Sequence, residues 1–126
     1  MIVTAAVLVN DGRILIAKRS KEKKWEFPGG KMEENEGVEN CIERELREEL
    51  GISVERLKKF MVVEGGDIIL HVFLVPYKGE IDIREHSEIK WVDVEELEKY
   101  EFMEVDKEVV KKLKKMKLKN ASKANI

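Results

Sequence analysis

Three glutamates, Glu45, Glu48 and Glu49, stand close together on a segment whose apolar residues recur at helical spacing. Laid out at about 100° per residue, Val38, Cys41, Ile42, Leu46 and Leu50 mark one apolar arc. Glu45 and Glu49 fall inside that arc and Glu48 lies at its edge beside Cys41, whereas Glu43, Arg44 and Arg47 take the opposite face. A solvated charged helix would carry its carboxylates on the outer face and pair them along the chain. On a core-facing arc they are costly unless something positive compensates them. Three such carboxylates call for cations, and hard oxygen donors suit Mg²⁺ or Mn²⁺. The chemistry within reach is that of a divalent metal acting on phosphate.

The elements that must position these groups are legible in outline. Gly51 ends the motif helix as a C-cap. Ahead of it, Pro28-Gly29-Gly30 is expected to break any regular element and to let backbone carbonyls approach a ligand closely. Residues 2–9 and 13–19 read as strands joined by Asn10-Asp11-Gly12, a hairpin signal. Lys18, Arg19 and the lysines among residues 21–24 make a basic loop after them. Residues 56–64 and 67–76 form a second hairpin about Gly65-Gly66, its second strand buried on both faces because its alternation is imperfect. Short strands at 80–83 and 89–93, a short helix near 94–99 and a final helix over 105–118 follow, with residues 120–126 a frayed tail. Val109, Val110, Leu113 and Met116 give that last helix an apolar face, so its lysines are a solvated outer face rather than a contact for RNA or membrane. Strands and two separated helices in this order imply an α/β domain whose mixed sheet is covered on two faces.

A chain of 126 residues is the size of a single domain, 1–126. Its net charge of −2 gives no general pull towards nucleic acid. Cys41 is the only cysteine, so no internal disulfide can form, and a reducing cytoplasm is the expected location. The apolar start has no basic flank and is too short to span a bilayer, so no membrane contact is expected. Abundant Lys and Glu with no glutamine at all is a bias also seen in hyperthermophile proteins.

The run from Gly30 to Ile52 resembles, at Gly30, Glu36, Arg44, Glu45, Leu46, Glu48, Glu49, Gly51 and Ile52, the signature of the Nudix hydrolases. That resemblance implies an α/β/α sandwich with a mixed sheet, and metal-dependent attack of water on a nucleoside diphosphate linked to another group. It places Glu45, Glu48, Glu49 and the Gly29 carbonyl as metal ligands, with Mg²⁺ as cofactor and Mn²⁺ as a substitute. Glu36 and Arg44 then support the site, Arg44 by pairing with carboxylates to orient them. Glu45 and Glu85 are two candidates for the base that deprotonates the water; Glu85 also reads as a solvated loop residue. Arg19 resembles a phosphate-contacting arginine, or is an ordinary charge at a strand end. His86 is expected to be a surface or loop histidine rather than a ligand, and His71 a structural or pocket-lining residue.

The segments WEFPGGK, EHSEIKWV and FMEVDKEVVKKL are similar to the MutT type within that family. This branch implies cleavage of nucleoside triphosphates, with oxidised guanine or cytosine nucleotides favoured, to monophosphate and pyrophosphate in nucleotide-pool sanitation. Where the bacterial oxidised-guanine enzymes read the base with asparagine, this chain has Asp106. An ionised aspartate only accepts hydrogen bonds and so favours bases that present amino donors, unless Asp106 merely N-caps the last helix. Phe27 and Leu8 are pocket walls for the base or members of the core. The alternatives are a hydrolase of another nucleoside diphosphate derivative, such as ADP-ribose or a dinucleoside polyphosphate, and a non-catalytic nucleotide-sensing domain, either one a monomer or homodimer.

Overall fold

The apolar opening run forms β1, Ile2–Asn10, and the other strands are arranged around it. The structure, a computed structural model, describes residues 1–122, with side chains through Met116. A tight hairpin leads into β2, Arg13–Lys18, pairing Asn10 with Arg13. The two turn residues, Asp11 and Gly12, both take positive φ, at 54° and 78°, as a two-residue turn matched to strand twist requires. β3, Trp25–Glu26, and β4, Gly29–Lys31, are short and lie on either side of Pro28. After α1, Val38–Leu50, the chain makes the antiparallel pair β5, Lys58–Gly65, and β6, Ile68–Pro76. β7, Glu88–Val92, pairs with β2, and α2, Lys107–Ser122, closes the described chain.

These strands make one mixed seven-stranded sheet in the order β3-β2-β1-β6-β5, with β4 on β1 and β7 on β2. β1 and β6 run parallel from Ile2 beside Ile69 to Val9 beside Pro76. Alternate residues of the central strands feed two separate cores. Ala5, Val7, Leu70 and Val72 pack on one face with Val109 and Leu113 of α2. Ala6, Leu8, Phe73 and Val75 pack on the other with Ile42, Leu46 and Leu50 of α1. The α/β/α sandwich is therefore present, and β6 is buried on both faces as its imperfect alternation implies.

The fold departs from the sequence reading in several places. Residues 80–83 are not a strand; their backbone is used to close the end of α1. The amide of Asp82 donates to the Leu50 carbonyl at 2.9 Å and that of Arg84 to Glu49 at 3.0 Å, while an Arg84 guanidinium nitrogen donates to the Arg47 carbonyl at 3.2 Å. These satisfy carbonyls that a helix end leaves without internal partners. Gly29 and Gly30, expected only to interrupt structure, form β4 against Val3–Ala5. A Cβ on Gly29 would run into the Thr4 backbone, so only glycine lets the two chains approach so closely. The segment 94–99 is a 3₁₀ helix with an Asp93/Glu96 capping box, and α2 starts two residues later than expected, after a 3₁₀ turn at Glu104–Asp106. Of the tail, Asn120–Ser122 continue α2, and residues 123–126 lie outside the described residues.

Candidate active site

The short pairing of β4 with β1 decides where the chemistry is gathered. It sets Gly29 and Gly30 beside Thr4, whose hydroxyl donates to the Gly30 carbonyl at 3.2 Å. α1 crosses this surface with Glu45 and Glu49 turned towards it. A Cβ on Gly30 would collide with the Glu45 carboxylate, so the missing side chain is the space that carboxylate occupies. The result is an open cleft of about 530 Å³. Its floor is the start of β1 with β4, and its rims are residues 19–22, Glu85-His86 and the turn before α2.

The three motif glutamates sit at different depths. Glu49 has only 4 % of its side chain exposed and accepts from the Gly29 amide at 3.0 Å. Burial, with Glu45, Glu26 and Glu85 adding like charge, pushes its pKa up to about 9. Glu45 is also raised by burial, an effect opposed by its 3.0 Å bond from Arg44. Glu48 is 52 % exposed and lies outside the cleft, tied to Arg44 at 3.1 Å. Arg44 is the common partner: its guanidinium grips Glu36 through two bonds of 2.7 and 3.0 Å, reaches Glu45 and Glu48, and donates to the Lys31 carbonyl. The fork geometry of arginine is what permits this many simultaneous contacts. Held in that grip, and by the Glu33 amide, Glu36 drops to about 2.

One guanidinium cannot neutralise this set. Among the described residues Glu49 has no lysine or arginine against it, and a carboxylate so deep is driven towards its protonated form unless a cation is supplied. An all-oxygen cluster that lacks only positive charge fits a hard divalent ion. Glu49 and Glu45, with Gly29 beside them, line the cleft and could hold one, whereas Glu48 lies outside it.

The remaining expected residues divide. Arg19 lines the cleft but is occupied by Glu22, at 2.9 and 2.8 Å, and by Glu26 at 3.3 Å. Glu85 lines the cleft and is exposed. Phe27 lines it from a buried position, its ring stacked on Phe102 at 5.3 Å between centroids. Asp106 is buried at the same end, its pKa pushed up to about 8 by burial and by the negative charge of Glu26, with the Phe27 amide and Arg19 opposing. Burial thus favours its carboxylic acid form, which can donate as well as accept, where the ionised form would only accept.

Leu8 is a member of the core and not a wall of the cleft. It packs with Ile42 of α1, because the cleft meets only the start of β1, at Val3, Thr4 and Ala5, and Leu8 lies further along the strand. His71 lies beside β5 in a separate small hollow with Phe60 and Val62. His86, expected to be a surface or loop histidine, does lie in a loop, but only 4 % of its side chain is exposed. Its Nε2 lies 2.7 Å from Glu26 Oε2 and 3.7 Å from Glu49 Oε1. The loop before β7 folds back over the end of α1 and is pinned by the Ser87 amide on the Lys18 carbonyl at 3.0 Å, which turns the imidazole inward. Glu26 went unnoticed in the sequence although its signal was there: Trp25 and Phe27 face the core, so the residue between them must face the other way.

The NUDIX domain, as a family, matches residues 1–113 of this chain. The chain belongs to the Nudix family. A Nudix relative named 8-oxo-dGTP diphosphatase, from Buchnera aphidicola subsp. Schizaphis graminum, is 31 % identical over 121 residues, covering 90 % of this chain and 93 % of its own. One named CTP pyrophosphohydrolase, from Escherichia coli, is 37 % identical over 113 residues, covering 82 % of this chain and 84 % of its own. Among solved Nudix-fold structures, that of the E. coli ORF135 protein superposes with a TM-score of 0.83 at 32 % identity, covering 98 % of this chain and 94 % of that one. Nudix hydrolases generally use divalent metals, in keeping with the carboxylate cluster. Among the described residues no helix is long and apolar enough to cross a membrane.

Proposed function

We propose that this Nudix hydrolase cleaves nucleoside triphosphates to nucleoside monophosphate and pyrophosphate, with Mg²⁺ as the working ion and Mn²⁺ able to replace it. The observation that carries this reading is the polarity of the cleft. The cleft is lined both by the carboxylates Glu45 and Glu49 beside Gly29 and by the buried pair Phe27 and Asp106. A triphosphate attached to a planar base has that division of chemistry. The names of the Buchnera and E. coli relatives support the same substrate class, oxidised guanine or cytosine nucleotides.

On this reading the bound ion supplies charge neutralisation for the phosphates and polarises the reacting phosphorus centre. The protein's own part is positional. Glu49 and Glu45 hold the ion from α1, Arg44 fixes Glu45 and Glu48 while Glu36 fixes Arg44, and Arg19 turns from Glu22 to the phosphates. Water attacks phosphorus, an anhydride P–O bond breaks, and the water proton passes to Glu45 or Glu85, the two cleft carboxylates that remain candidates for the base. Asp106, whose burial favours the protonated form, could in that form donate to a base carbonyl and accept from an amino group, which both cytosine and oxidised guanine offer.

A panel of canonical and damaged nucleotides with Mg²⁺ or Mn²⁺, its products resolved chromatographically, tests the reading. Monophosphate and pyrophosphate from CTP, dCTP or 8-oxo-dGTP is the expected result. Turnover of ADP-ribose or dinucleoside polyphosphates alone would replace it with the second substrate class. Metal-dependent nucleotide binding without turnover across the panel would make the protein a sensor.

A further inference from the structure

Glu26 and His86 belong to neither the motif helix nor the glycine loop, yet together they touch the deepest carboxylate of the site. One ligand atom from each of Glu26, Glu49 and His86 lies within 4.8 Å of the others. The imidazole lies against both carboxylates, bonded to Glu26 and packed beside Glu49. Its Nε2 is 2.7 Å from Glu26 and 3.7 Å from the free oxygen of Glu49, whose second oxygen is already fixed by the Gly29 amide. Glu26 is anchored from behind by Arg19 at 3.3 Å. The ring is anchored through its loop, where the Arg84 amide bonds the Glu49 carbonyl and the Ser87 amide bonds Lys18.

We propose that Glu26 and His86 form a clamp that sets the position of the Glu49 carboxylate, and through it the metal affinity of the site. The proposal rests on the reading of Glu49 as a metal ligand. It assigns both residues a positioning role and leaves His86 outside the coordination sphere. The state of the ring supports that choice. Nδ1 is buried with no hydrogen-bond partner among the described residues. A ligating histidine almost always donates its second ring N–H to a carboxylate, carbonyl or water, and here nothing receives it. With Nε2–H donating to Glu26, Nε2 has no lone pair to offer a metal and Nδ1 carries the ring's lone pair.

The test is titration of the metal-free protein with Mn²⁺, followed by the loss of the free-ion EPR signal, in wild type, His86→Ala, His86→Gln, Glu26→Ala and the Ala double variant. Residues that orient a metal ligand typically change affinity about 10–100-fold, and that weakening is expected for His86→Ala. His86→Gln, whose amide can still donate to residue 26, should recover part of it. The double variant should be little weaker than His86→Ala, because the two residues act as one unit. Equal Mn²⁺ affinity in wild type and variants overturns the clamp, and so does a lowered melting temperature without a change in affinity. Nitrogen coupling in the wild-type Mn²⁺ echo spectrum that disappears in His86→Ala would make the ring a ligand and also overturn it. A wild-type protein that binds no Mn²⁺ would instead remove the metal reading of Glu49, and the clamp with it. If His86→Ala does not fold, His86→Gln and Glu26→Ala carry the comparison.

Discussion

Arg44 shows how little of a residue's role is visible in its own burial. It lies on the helix face opposite the apolar arc, yet most of its side chain is covered, because Glu36, Glu45, Glu48 and the Lys31 carbonyl close over it. Lysine has the charge but not the fork, so Arg44→Lys should lose the paired bonds to Glu36 and release Glu45 and Glu48 together. The expected outcome is a fall in kcat of about 10–100-fold, with the melting temperature of the metal-free protein changed far less. Steady-state kinetics and a thermal melt check it, and wild-type kcat would remove Arg44 from the orienting role. Asp106 makes the second case. Burial disfavours its charged form, so Asp106→Asn, which carries no charge, should fold at least as well at alkaline pH. The ratio of kcat/KM between cytosine and guanine nucleotides should shift by about tenfold or more, the scale of one paired base contact. An unchanged ratio would confine Asp106 to its place at the start of α2.

At the scale of elements, the β1–β4 pairing is the step on which the site depends. Gly29 and Gly30 are adjacent and chemically identical, but their missing side chains serve different ends. A Cβ at Gly29 meets the backbone of Thr4 and Ala5, which cannot yield without separating the strands. A Cβ at Gly30 meets the carboxylate of Glu45, a side chain that can move. Gly29→Ala is therefore expected to destabilise the fold by about 1–3 kcal/mol or more, on the scale of overpacking. Gly30→Ala should keep most of the stability and instead weaken Mn²⁺ binding by displacing Glu45. Denaturant unfolding and metal titration on the same two variants separate these outcomes; equal stability loss in both would refute the distinction. The helix itself was legible in advance, from its apolar spacing to Gly51, which takes φ 65° and bonds back to Arg47. The loop at 80–83 was not, because a short apolar-charged alternation looks the same whether its backbone pairs with a strand or closes a helix end.

The whole molecule carries an electrostatic strain that a cation would relieve, and its stability should report this as a function of pH. Glu49 at about 9 and Asp106 at about 8 are raised above their ordinary values of 4.5 and 3.8. The folded state holds those protons more tightly, so the stability they contribute is fully present below about 4 and is lost as the pH rises towards 8–9. Glu36, lowered to about 2 from 4.5, has the opposite sign: its stability is present above about 4.5 and is lost as the pH falls towards 2. In chelator, the melting temperature should therefore decline from mildly acid to alkaline pH. Glu49→Gln should flatten that decline, and Mg²⁺ should flatten it in wild type by taking the place of the proton. Melting curves across this range with and without Mg²⁺ decide the matter, and a variant that declines in parallel with wild type would refute it.

The sequence by itself determined the family, the α/β/α layering, the motif helix and the placement of Glu45 and Glu49 on its inner arc. Each of these follows from local periodicity or from fixed spacing along the chain. It left open how far along β1 the cleft extends, and so whether Leu8 is a pocket wall or core; the packing of α1 on that stretch of the strand decides for the core. Glu26 and His86, sixty positions apart, became neighbours only through the return of the loop before β7 over the end of α1. The protonation of Asp106 and the depth of Glu49 likewise come from atoms supplied by distant segments, because desolvation is a property of the packed surroundings and not of the residue.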